Sequence, residues 1–364
     1  MAGGPGDGVP RKGKVFMETR VIRLEESFEE GIALGGRILR EGGLVAFPTE
    51  TVYGLGANAL DGEAVRSIFA AKGRPSDNPL IAHVAEVEEA FALAQVDGRA
   101  EALLRLFWPG PLTVVLPKKP VCPDALTAGL PTVAIRMPSH EGARALIRSA
   151  GVPVAAPSAN LSGRPSPTNA RHVYEDMGGR IPLILDGGPC EWGLESTVLS
   201  LAGPPTILRP GAITPEQLSA VLGGVELAPS ILSPLGEGEQ AASPGMKYKH
   251  YSPKAEVCIA DGEGKALPEA ACEAYDTLAQ MGKKCVIFAS VQTSGFYEGR
   301  DCVIMGDREQ PQSICRSLFA LLREADAAGY EAIVLESLPP QALGLAFMNR
   351  ALRAAGFHVV RHRA

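Results

Sequence analysis

The sequence predicts an α/β protein in two unequal parts. Three observations carry this reading. Short apolar runs alternate with amphipathic, helix-length segments along most of the 364 residues, the pattern of layered α/β domains. The length exceeds what one average domain holds. Between Leu227 and Pro253 the alternation stops, and Pro, Gly, Ser and Glu take over without a period, as in a linker. The expected parts are a flexible leader (1–20), a first domain (21–223), a linker (224–253) and a second domain (254–364).

In order along the chain, residues 1–20 are Gly-rich and basic with no apolar stretch, which reads as a leader and not a signal peptide. Ser27 and Glu30 have the spacing of a capping box, which predicts a helix ending near Gly42-Gly43. Residues 44–47 form a short buried strand. Residues 61–72 read as a helix with Val65, Ile68 and Phe69 on one face. Strands are expected over 80–84, 112–116, 132–137, 152–156, 182–185, 196–201 and 206–208. Helices over 87–95, 100–107, 141–150 and 215–222 lie between or after them, giving a large, twisted, partly parallel sheet. Beyond the linker, strands over 257–259, 285–289, 302–305, 332–335 and 358–360 alternate with helices over 268–281, 312–328 and 342–355. That alternation predicts a small doubly wound domain.

Composition excludes several classes. A net charge of −6 and a pI near 5.7 argue against a protein that binds nucleic acid over its whole surface. Seven scattered cysteines without a C-x-x-C pair point to free thiols in a reducing compartment. No apolar run is long enough to span a membrane, so a cytoplasmic protein is expected. No G-x-x-x-x-G-K-[ST], H-E-x-x-H or G-x-S-x-G occurs, so any ATP is held without a P-loop.

The most informative stretch is Phe47-Pro48-Thr49-Glu50-Thr51-Val52-Tyr53-Gly54-Leu55-Gly56. Hydroxyls, a carboxylate and a phenol stand between chain breakers, the chemistry of a pocket wall. Lys72-Gly73-Arg74-Pro75 has two readings. Lys, Gly and Pro in that order stop a helix, yet the same residues offer two cations to phosphate or carboxylate oxygens. Asn78-Pro79 then turns into the strand bearing His83, which alone reads as a hydrogen-bonded core histidine. Ser158-Ala159-Asn160 is either a cap or turn, or a donor set with Ser166 beyond a strand's carboxyl end, where open α/β sheets bind ligands. Arg136, on an apolar strand, must meet an anion, because an unpaired buried charge costs several kcal/mol. Whether that anion is a protein carboxylate or a ligand stays open at this point. Arg209-Pro210-Gly211 sets a cation at a strand end, against phosphate or on the surface. The basic, aromatic residues 246–251 suit a single-stranded nucleic acid or a phosphate.

Taken in order, Thr49 to Gly56, Lys72 with Arg74, Ser158 with Asn160, and Arg209-Pro210-Gly211 resemble the YrdC-like L-threonylcarbamoyladenylate synthases. Residues 243–251 and 344–350 resemble the accessory domain of the family's longer, two-domain members. The resemblance implies a YrdC-like catalytic domain with a twisted mixed/parallel sheet, followed by a smaller Rossmann-like α/β domain. It implies a nucleotidyltransferase that turns L-threonine, bicarbonate and ATP into threonylcarbamoyl-AMP and pyrophosphate, the first step towards threonylcarbamoyladenosine in tRNA. By that resemblance Thr51, His83, Arg136, the Ala156 backbone and Ser196 line the threonine side. Arg74, Asn78, Thr132, Ser158, Ser166, Arg209 and Tyr251 serve the nucleotide. Lys72, Arg74, Ser158 and Asn160 form the catalytic signature, and Mg²⁺ arrives with ATP, without a protein metal site. The linker lies across the pocket mouth, and tRNA or the downstream transfer machinery takes the product. The alternatives are an RNA-binding module without catalysis and carbamoyl transfer to another acceptor.

Overall fold

A computed structural model describes residues 17–233 and 251–362. The expected leader up to residue 16 and residues 234–250 of the linker, with Met246 to His250, lie outside the described residues.

The first part runs through β1 (Arg20–Arg23), α1 (Phe28–Arg40), β2 (Val45–Phe47), β3 (Gly54–Asn58), α2 (Gly62–Lys72), β4 (Ile81–His83), α3 (Ala90–Leu93), α4 (Gly98–Phe107) and β5 (Leu112–Pro117). It continues as α5 (Asp124–Thr127), β6 (Thr132–Arg136), α6 (Glu141–Ala150), β7 (Val154–Ala155), α7 (Ala170–Met177), β8 (Leu183–Asp186), β9 (Thr197–Ser200), β10 (Thr206–Arg209), α8 (Pro215–Leu222) and β11 (Glu226–Leu227). These strands form one mixed sheet in the order β1-β8-β2-β3-β7-β4-β6-β5-β9-β10-β11.

Local chemistry sets the helix limits. Asp61 caps α2 by accepting from the Glu63 and Ala64 amides, and Gly73 ends it at φ +62°, a left-handed conformation that glycine adopts readily. At α8 Thr214 and Gln217 form a capping box with Pro215 at the first turn. The box expected at Ser27 does not form. Ser27 does precede α1, but its backbone there (φ −144°, ψ 55°) carries no side-chain cap bond, and Glu30 pairs with Arg20 at 2.5 Å instead.

Five elements of this part are not legible in the sequence: β1, β3, α5, α7 and β11. The glycines of β3 look like chain breakers, yet they let strands approach. A Cβ on Gly56 would lie 2.8 Å from Val154 Cγ1 and 2.9 Å from Phe47 Cε1. The strand expected over 152–156 shrinks to the two residues of β7, which pair antiparallel with both β3 and β4.

The second part consists of β12 (Glu256–Asp261), α9 (Ala266–Gln280), β13 (Cys285–Ser290), β14 (Cys302–Gly306), α10 (Pro311–Ala327), β15 (Ala332–Glu336), α11 (Ala342–Ala354) and β16 (Val359–Arg361). Its sheet has the order β14-β13-β15-β12-β16, with every pairing parallel. Helix α9 covers one face, and α10 and α11 cover the other, as in a doubly wound domain.

The two parts share packing. Val52 and Leu194 belong to the same buried cluster as Tyr251, Phe319 and Phe347. The start of the expected linker is ordered too. β11 pairs in parallel with β10, and the Ser230 and Ile231 carbonyls accept from Arg353 and Asn349. Backbone pairing and interface contacts supply an order that composition does not display. Among the described residues no helix is long and apolar enough to cross a membrane, and all seven cysteines are free thiols.

Candidate active site

The loop from β2 to β3 folds on its own hydroxyls. Thr49 Oγ1 accepts from the Thr51 and Val52 amides, both at 3.2 Å, and donates to the Val52 carbonyl at 2.6 Å. Thr49 and Thr51 share a hydroxyl contact of 2.9 Å. Such side-chain-to-backbone bonds are what Thr offers a tight turn. Tyr53 points away from the cavity, where its hydroxyl donates to the Gly188 carbonyl at 2.7 Å.

Lys72 combines both readings of its motif. It ends α2, and its buried ammonium donates to the Ser158 carbonyl and, at 2.6 Å, to the Asn160 carbonyl. The Ser158–Asn160 turn is therefore built around this cation. Ser158 Oγ donates to Asn160 Oδ1 at 2.5 Å, and Asn160 Nδ2 donates to the Leu161 and Arg164 carbonyls at 2.7 and 3.0 Å. An isolated bridge between Gly54 and Ser158 ties this turn to β3. Burial, reinforced by Arg74, pushes the Lys72 amine well below its ordinary pKa, so an arriving anion would favour its charged form. Arg74 is half-buried, with its guanidinium 5.9 Å from the Phe69 ring centre.

His83 and Arg136 are register partners on the parallel strands β4 and β6. Burial and then Arg136 push the His83 pKa down to about 3, so the imidazole is neutral. Its Nδ1 lies 3.2 Å from the Ile81 carbonyl. The anion that Arg136 requires is Glu50: Nη2 lies 2.8 Å from Glu50 Oε1, with both side chains buried. Neither Glu50 carboxylate oxygen has an aligned hydrogen bond among the described residues.

Ser196 stands at the head of β9. Its hydroxyl is 2.8 Å from that of Thr113, and Arg209 donates to its carbonyl at 3.1 Å and its hydroxyl at 3.2 Å. Burial lowers the Arg209 pKa to about 10. Ser166 donates to Glu195 Oε1 at 2.5 Å. Burial pushes the Glu195 carboxyl up, but Arg350, Arg209 and Ser166 together outweigh it, and its pKa falls below the usual range.

Tyr251, at the end of the expected linker, supplies the remaining wall, and the second domain backs it. Tyr251 adopts φ +62° and stacks on Phe319 with ring centres 5.0 Å apart, while the next amide, Ser252, donates to the Gly163 carbonyl. Arg323 on α10 donates to the Pro165 carbonyl at 2.6 Å and to Asp176 at 2.7 Å.

One cavity gathers Thr51, Lys72, Arg74, His83, Arg136, Ala156, Ser158, Asn160, Ser166, Ser196, Arg209 and Tyr251. Two expected residues are missing from its lining. Thr132 begins β6 and Arg136 ends it, roughly 13 Å apart along an extended strand. Asn78 is wholly buried in the turn before β4, and its amide atoms have no hydrogen-bond partner among the described residues. Sequence reasoning overlooked Glu195, a lining carboxylate, and the supports Asp176 and Arg323; Glu50 and Arg350 stood in motifs it singled out but received no role of their own. The signal for Arg350 was present: it is an arginine in an apolar helix, the same argument that singled out Arg136. Among the described residues no group of three or more His, Cys, Asp or Glu side chains could hold a metal. The cations and the hydroxyl and amide donors of the lining suit the cavity to bind and align anions.

Both parts of the chain resemble known proteins. Residues 37–211 match the Sua5–YciO–YrdC family model, described as telomere recombination, and residues 213–356 match the C-terminal domain of threonylcarbamoyl-AMP synthase. The threonylcarbamoyl-AMP synthase of Pyrococcus abyssi is 45% identical over 346 residues, 94% of this chain and 99% of that one. The Bacillus subtilis protein of the same name is 47% identical over 336 residues, 91% of this chain and 94% of its own. The crystal structure of P. abyssi Sua5 complexed with L-threonine superposes with a TM-score of 0.88 at 44% identity, covering 95% of this chain and all of that one. A cation-lined cavity between a YrdC-type sheet and a Sua5-type C-terminal domain, with relatives this similar over nearly full length, places the chain in the threonylcarbamoyl-AMP synthase family.

Proposed function

We propose that this protein condenses L-threonine, bicarbonate and ATP into threonylcarbamoyl-AMP and pyrophosphate. The observation that carries the proposal is the cavity itself, where Lys72, Arg74, Arg136 and Arg209 converge with small hydroxyl and amide donors. The neutral amine of threonine attacks bicarbonate and water leaves, giving a carbamate. A carbamate oxygen then attacks the α-phosphate and pyrophosphate departs. No covalent enzyme intermediate is needed. The chain's task is to hold three reactants in line and offset their negative charge.

In this reading Thr51, neutral His83, Arg136, the Ala156 backbone and Ser196 receive threonine. Arg74, Ser158, Ser166, Arg209 and Tyr251 receive the nucleotide. Lys72 and Asn160 act as the turn's organisers and as donors to carbamate or phosphate oxygens. Asn78 and Thr132 would reach the nucleotide only after a local rearrangement. Among the described residues the one carboxylate in the lining, Glu195, is already engaged by Ser166 and Arg350, so Mg²⁺ would be carried on the triphosphate, where it neutralises charge. The product would pass to tRNA adenosine modification, and seven free thiols support a reducing, cytoplasmic setting. Pyrophosphate release should require both L-threonine and bicarbonate, tested by omitting each in turn. Turnover that persists without either one overturns the assignment.

A further inference from the structure

A single guanidinium from the second domain reaches two stretches of the pocket wall directly and a third at one remove. Arg350, on α11, is wholly buried. Its Nε donates to Glu195 Oε2 and its Nη2 to the Glu195 carbonyl, both at 3.1 Å, and its Nη1 donates to the Pro210 carbonyl. Arg350 itself does not line the cavity. Glu195 passes the contact on through its other oxygen, which accepts from Ser166. The Glu195 carbonyl leads into Ser196, and Pro210 follows Arg209, whose guanidinium bonds Ser196 twice. Ser166, Ser196 and Arg209 come from three separate segments of the first domain, and they share this one support from outside it.

Stability alone does not call for an arginine here. A buried ion pair is often matched or bettered by apolar residues of similar volume. What the arginine adds is a planar fork of donors with fixed directions, which relates the Glu195 side chain, the Glu195 backbone and the Pro210 backbone to one another. We propose that Arg350 is a positioning residue for the synthase reaction, acting through Glu195 and Pro210 to set the places of Ser166, Ser196 and Arg209. The second domain thus completes the pocket. The proposal rests on the reaction stated above.

The test compares full-length wild type with Arg350→Lys, Arg350→Met and Arg350→Ala. It measures kcat, the KM values for ATP and L-threonine, melting temperature and calorimetric binding of both ligands. Wild-type turnover dependent on threonine and bicarbonate secures the reaction independently of the variants. Ligand binding reads pocket geometry even if that reaction proves wrong, so the two failures are distinguishable. Arg350→Lys keeps a cation against Glu195 and is the variant expected to fold, but one ammonium cannot hold all three acceptors. Its kcat should fall about tenfold, and that of Arg350→Met about a hundredfold, the order expected when reacting groups are displaced by an ångström. The KM values should move less. Guanidinium ion, well below denaturing concentration, should restore part of the Arg350→Ala activity where matched sodium chloride does not. Wild-type kcat and KM in Arg350→Lys would overturn the proposal. So would losses that merely track the unfolded fraction with no guanidinium rescue.

Discussion

At the scale of single residues, Lys72 and Arg74 separate although they share a motif. Lys72 is buried and holds two carbonyls of the Ser158–Asn160 turn, so Lys72→Met should lower stability by about 1–3 kcal/mol as well as activity. Arg74 is half-buried beyond the helix end, so Arg74→Ala should leave melting near wild type. Either change should cost roughly a hundred- to a thousandfold in turnover, the usual scale for one lost electrostatic donor. Thermal melts beside pyrophosphate assays check this, and an Arg74→Ala protein with wild-type turnover contradicts it. His83 carries a pH signature. Its pKa is lowered to about 3 in the fold from an ordinary 6.5, so below pH 6.5 the unfolded chain binds the extra proton and stability falls. The effect reaches about 2 kcal/mol by pH 5 and vanishes above pH 6.5. The slope of stability against pH between 5 and 6.5 should flatten in His83→Gln, and an unchanged slope would contradict a buried, neutral imidazole.

At the scale of elements, Gly211 shows what a turn after a strand can require. A Cβ there would sit 2.3 Å from the Thr197 amide nitrogen and 2.6 Å from the Ser196 carbonyl carbon, backbone atoms that cannot yield. Gly211→Ala should therefore push the end of β10 off β9 and draw Arg209 away from Ser196. The expected result is a stability loss of about 1–3 kcal/mol with a rise in the KM values, measured by melting and steady-state kinetics. Elements with a strong period or a good cap were legible in the sequence: α2, α6, α8 and the alternating second domain. Those that depend on partners were not. β3 is written with the glycines of a loop, because its backbone must lie close to Phe47 and Val154. β11 lies in a stretch whose composition is that of a linker. The same division holds in the site. Arg136 announced an anion, but only the fold could name Glu50, and Glu195 had no local pattern to mark it.

At the scale of the whole molecule, the boundary in the chain does not coincide with a boundary in the packing. Ending the protein after Gly223 would uncover Val52 and Leu194 and take Arg350 and Arg323 away from buried Glu195 and Asp176. Stripping a partner from a buried charge typically costs about 3–5 kcal/mol. The shortened form should keep its sheet as far as β10 and lose only the edge strand β11, melt lower and lose most turnover. A fragment with full activity at wild-type melting temperature would contradict the shared pocket.

The placement of Val52 and Leu194 in the second domain's core also bears on how the molecule opens. Native proteins exchange their amide hydrogens in cooperative units that follow packing and not chain order. The amides of the motif loop between β2 and β3, and those around Leu194, should therefore become labelled together with α10 and α11. The rest of the mixed sheet should open in a separate event. A destabilising change confined to the second domain would then speed labelling of a loop far upstream in the chain, and the active site would be lost before the sheet that carries it.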